Sequence, residues 1–70
     1  MLYATPQNNS VDIYDSNTQQ RKYSMPVNGE VAGAPIINGD QMAIPVRVSD
    51  TQVVTRVYDI HSGQLKYTNY

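Results

Sequence analysis

Seventy residues with a formal net charge of −1 allow one small domain and exclude a second large core. Five Lys+Arg against six Asp+Glu argue against a protein that grips phosphate backbones, which needs clustered positive charge. With no cysteine there is no disulfide framework, no thiolate nucleophile and no cysteine-based zinc site, and the single His cannot replace one.

The residue types lean to strand. Val, Ile, Thr and Tyr supply 24 of the 70 residues, and Leu and Ala only six. β-branched and aromatic side chains suit a pleated, half-buried surface. No window holds a sustained helical period of apolar residues.

In chain order, Leu2 to Thr5 reads as a first, weak strand and residues 6–10 as a turn. Val11 to Asp15 alternates with the period of two expected of a strand. Residues 16–20 turn again into Arg21 to Met25, which Pro26 limits because Pro cannot donate to a ladder. Asn28-Gly29 and Asn38-Gly39 favour turns with positive φ, and Asn38-Gly39-Asp40 reads as the tip of a hairpin between Ile36-Ile37 and Met42 to Val48. Pro45 inside that longer strand suggests an edge position or a bulge. Asp50-Thr51 turns into Val53 to Ile60, and His61-Ser62-Gly63 into Leu65 to Tyr70. The expected fold class is therefore all-β, an antiparallel meander of about seven short strands in one domain spanning 1–70.

The chain also repeats itself. Residues 11–23 align without a gap on residues 55–67, and Tyr14/Tyr58, Asp15/Asp59, Gln20/Gln64, Lys22/Lys66 and Tyr23/Tyr67 are identical. The offset superposes strand, turn and strand. Units of about 40–50 residues with four strands each are the spacing of β-propeller blades.

Asp59, then Ser62, Gly63 and Tyr67 at +3, +4 and +8, resembles the docking motif of quinoprotein-type (pyrroloquinoline-quinone-like) propeller repeats. Asp15, Thr18 and Tyr23 are similar, with Gln19 where Gly is expected. The stretch 29–40 resembles the segment that leads such repeats into the next blade. The resemblance implies about one and a half blades: residues 2–25 a partial blade, 26–34 a connection, and 35–70 a four-stranded blade. Tyr stands where the family's motif usually ends in Trp. Cofactor and catalysis do not carry over, because the family's cofactor sits at the centre of a whole ring and propellers host many unrelated functions.

The motif has a physical role apart from any family. Each Asp carboxylate can accept backbone N–H groups two or three residues on, and the Thr18 or Ser62 hydroxyl can join it. Gly63 supplies a left-handed conformation. Tyr23 and Tyr67 fall on the following strand, each with a ring to bury and a hydroxyl to satisfy. Asp15, Thr18, Asp59 and Ser62 are thus expected as turn staples rather than as a catalytic carboxylate pair, and His61 as an exposed turn residue. No catalytic triad, calcium loop or phosphate-binding glycine loop is present in the sequence. No catalytic, cofactor or metal residue is expected.

An incomplete pair of blades leaves faces and edges in water, which invites association. The expected function is a non-enzymatic structural or protein-binding subunit that works in a homo-oligomer or larger assembly. A phage or virion accessory protein suits the small, acidic, cysteine-free chain. The alternative is a compact sandwich or barrel that binds single-stranded nucleic acid or a glycan through exposed Tyr. No apolar run is long enough for a membrane helix, and Met1 to Pro6 lacks the basic end and apolar run of a secretory signal, so a cytoplasmic or virion-associated location is expected.

Overall fold

A computed structural model describes residues 1–70 as eight strands and no helix. The strands are β1 (Leu2–Pro6), β2 (Ser10–Asp15), β3 (Gln20–Pro26), β4 (Glu30–Val31), β5 (Ile36–Asn38), β6 (Gln41–Arg47), β7 (Val53–Asp59) and β8 (Leu65–Asn69). Every pairing is antiparallel, as in a meander. Sheet one has the order β1-β2-β3. Sheet two has the order β4-β6-β7-β8, with β5 also on β6.

The strands form where alternation gives them one apolar side. In β2, Val11 and Ile13 are buried between partly exposed neighbours, and in β6 Met42, Ile44 and Val46 do the same. The register places Tyr58 and Val54 of β7 beside Met42 and Val46. These side chains join Met25, Val27 and Ile60 in one cluster between the sheets, so the sheets stack face to face through their inner faces.

The eighth strand lies inside the expected connection. β4 is two residues long and has no alternation to reveal it. The connection is anchored to both sheets. Val27 N–H donates to Asn9 O and Val31 N–H to Asn8 O, while β4 pairs with the far end of β6. Gly29 is required there, because a Cβ on it would lie 2.5 Å from Val46 Cγ1 and 2.8 Å from Arg47 O.

Pro45 is not on an edge strand, for β6 pairs on both sides. The irregularity lies in its neighbour. β4 and β5 run end to end along one side of β6, and the register leaves two extra residues between Val31 and Ile36. Pro45 O accepts from Ala32 N–H on that side. A strand residue points its N and O the same way, so the missing donor of Pro45 faces the interruption.

Only 11 of 70 residues are buried, which makes each core side chain count. We expect Ile13→Ala, which empties a fully buried site, to cost about 2–5 kcal/mol. That is a large share of what such a domain holds, at roughly 0.05–0.15 kcal/mol per residue. A urea titration followed by circular dichroism measures it.

Candidate functional site

The repeated motif builds two equivalent turns. In the first, Asn17 N–H donates to Asp15 Oδ1 (2.8 Å), Gln19 N–H to Asp15 O (2.8 Å) and Gln20 N–H to Thr18 Oγ1 (3.3 Å). In the second, His61 N–H donates to Asp59 Oδ1 (2.9 Å), Gly63 N–H to Asp59 O (2.8 Å) and Gln64 N–H to Ser62 Oγ (3.2 Å). Ser62 N–H gives Asp59 Oδ1 a further bond at 3.0 Å. Gln19 has φ 60° and Gly63 φ 76°, so both turns use the same left-handed residue. The pairing slips by one residue after Ile13 in one unit and after Val57 in the other, again 44 positions apart.

These bonds set the acidity of the two carboxyls. The Asn17 N–H chiefly holds Asp15 below its usual 3.8, and the Ser62 N–H, followed by that of His61, does the same for Asp59. Each carboxylate accepts from its own turn, which is the work of a staple.

The two motif tyrosines differ. Tyr23 lies on the inner face of sheet one, and its hydroxyl donates to Ile60 O across the sheets. Its ring covers Gly63, where a Cβ would come within 3.0 Å of Tyr23 Cε2. Burial, with the Asp59 charge adding to it, raises the Tyr23 pKa above 10.0. Tyr67 lies on the outer face of sheet two and is 48% exposed. It ends a row of register partners, Ile36, Ala43, Val57 and Tyr67, that crosses β5, β6, β7 and β8. Ile36 is also 67% exposed. On the outer face of sheet one, the paired Tyr3 and Tyr14 stack with centroids 5.5 Å apart, and Tyr3 donates to Gln19 Oε1.

Beside the Tyr23 contact a cleft of about 670 Å³ opens between the sheets, lined partly by Leu2, Lys22, Ile37, Asp40 and His61. His61 Nε2 lies 3.2 Å from Asp40 Oδ1, and both side chains are largely exposed. No group of three or more His, Cys, Asp or Glu side chains is placed to hold a metal ion. Sequence reasoning did not place Arg56 on a core face. It stands on the inner face of sheet two between Val54 and Tyr58, and its buried Nε has no partner. An arginine at a core-facing strand position was the available signal.

The chain matches no family model, no curated protein and no solved structure.

Two outcomes test the turns. Gly63→Ala combines a left-handed backbone with a Cβ against Tyr23, so it should cost at least about 1–2 kcal/mol, read as a lower urea midpoint. Asp15 and Asp59 have folded pKa values below 3.8. Their stabilisation is therefore present above pH 3.8 and lost as pH falls through the lower, folded values. The urea midpoint should drop as pH falls through and below 3.8, and the Asp15→Asn, Asp59→Asn double variant should flatten that drop.

Proposed function

We propose that this protein is a non-enzymatic structural subunit, about one and a half blades of a propeller-like repeat, that completes itself by associating with other protein. One observation carries the reading. The outer face of sheet two presents Ile36 and Tyr67, at 67% and 48% exposure, at the two ends of a row whose middle members are the half-buried Ala43 and the buried Val57. An apolar row of this kind on so small a domain marks an interaction surface, and exposed Tyr is favoured at interface centres. Sheet one supports the same reading, for the far edge of β1 has no partner strand and unpaired edges invite pairing.

The absence of a catalytic role is supported by chemistry. The motif carboxylates accept bonds from their own turns, and the two turns stand on separate sheets instead of flanking a common substrate. The reading of exposed Tyr as a stacking platform for bases or sugars has weaker support. Tyr3 and Tyr14 spend one ring face each on the other, and the single Arg21 paired with Tyr14 is not a basic stripe.

Light scattering on the purified chain tests the proposal. The expected mass at micromolar concentration is a multiple of 7.8 kDa. A species of one-chain mass that stays so on concentration would overturn self-association.

A further inference from the structure

The joint inside this chain is a template for a joint between chains. The inner face of sheet one carries Ala4, Val11, Ile13 and Tyr23, and the repeat maps these onto Ala43, Thr55, Val57 and Tyr67 of the outer face of sheet two. The inner face of sheet two carries Met42, Ile44, Arg56 and Tyr58, and these map onto Tyr3, Thr5, Asp12 and Tyr14 of the outer face of sheet one. Within the chain the first kind of face packs on the second, with Tyr23 seated on Ile60 and Gly63. Each chain therefore exposes one further face of each kind.

We propose that the outer face of sheet two, with Ile36 and Tyr67, docks head-to-tail on the Tyr3–Tyr14 face of a second copy, with the Tyr67 ring on that copy's Ser16–Gln19 turn. This deepens the self-association reading above and rests on it. The receiving turn has the required backbone, because Gln19 shares the left-handed conformation of Gly63. Ser16 O, the equivalent of Ile60 O, is bonded by Gln19 Nε2 and keeps a second lone pair for the Tyr67 hydroxyl.

The sequence also shows how this joint differs from the internal one. Gln19 has a Cβ where Gly63 has none, and at Gly63 a Cβ meets the ring at 3.0 Å. The Tyr67 ring must then seat a few tenths of an ångström farther out. Thr5, Asp12 and Thr55 replace Ile44, Arg56 and Val11 at equivalent places. Two of the three exchanges put a hydroxyl where the internal joint has an aliphatic side chain. That is the composition of a separable interface, which is about as apolar as ordinary surface, rather than of a core. Because the two surfaces are different patches, the contact is heterologous and propagates from copy to copy until it closes.

A pair of complementary variants tests it. Tyr67→Lys blocks the docking face and Tyr3→Lys blocks the receiving face. Circular dichroism monitors folding, and Ile36→Lys or Thr5→Lys replaces whichever variant loses its strand spectrum. Each variant alone should have the mass of one chain by light scattering. An equal mixture should give a species of twice 7.8 kDa and nothing larger, since only one docking face and one receiving face stay intact. A variant that assembles like the wild type, or a mixture that stays monomeric, overturns the head-to-tail joint while the wild-type mass still supports self-association. A wild type of one-chain mass overturns both.

Discussion

The fold depends on the seating of Tyr23 on the turn from Ile60 to Gly63. That contact needs three things at once. The Ile60 carbonyl must be free to accept, which it is because the turn satisfies its own N–H groups on Asp59 Oδ1 and Asp59 O. For the ring to seat this closely the surface under it must lack a Cβ, which Gly63 provides. The ring must carry a donor at its tip, which Tyr has and Phe lacks. The result pins β3 of sheet one to the end of β7. The apolar cluster gives the sheets their attraction, which has no direction. The Tyr23 bond gives them a position.

Two sheets that share a sequence pattern are not two equal sheets. The strongest apolar side chains gather at the single joint between them. Val11 and Met25 face inward where their equivalents Thr55 and Asn69 face out. Ile44 is fully buried on the inner face of sheet two where Thr5 stands on the outer face of sheet one. A 70-residue chain has little surface to bury, and concentrating it in one layer is what lets the domain hold a core at all. The same concentration leaves the outer faces half apolar and half polar.

Much of this was legible in the residues, and for identifiable reasons. The strands showed because β2 alternates, and because β6 and β7 are runs rich in apolar and β-branched residues bounded by turn residues. The turns showed because Asp, Ser or Thr and Gly at fixed offsets have one economical way to bond. β4 did not show, since Glu30–Val31 owes its strand to the backbone of Pro45 and Arg47 and to Asn8, not to its own pattern. Pro45 misled because the irregularity it signalled lies on the neighbouring strand. The sequence made Tyr23 and Tyr67 equivalent, and only the stacking order of the sheets made one part-buried and the other exposed. Whether an exposed face is covered is a property of assembly, which a single chain's periodicity does not encode.

The spacing of eight from Asp to Tyr follows from the same geometry. Asp15 pairs with Gln20 across the turn and Tyr14 with Arg21. Continued regularly, that register would set Ile13 opposite Lys22. Instead Ile13 faces Tyr23, so Lys22 is the extra residue of a bulge. In the second unit Tyr58 pairs with Leu65 and Val57 with Tyr67, which makes Lys66 the extra residue. A one-residue shift moves a side chain to the opposite face of a strand. The bulge therefore allows a turn of fixed length, closed by its Asp, to be followed by a tyrosine that still points to the apolar face. Without it the lysine would stand against Ile13 and Val57 and the tyrosine would face away. The aromatic at +8 is thus the sum of a stapled turn and one inserted lysine, and the identity of Lys22 and Lys66 in the two units reflects a position that must be present, solvated and long enough to leave the sheet.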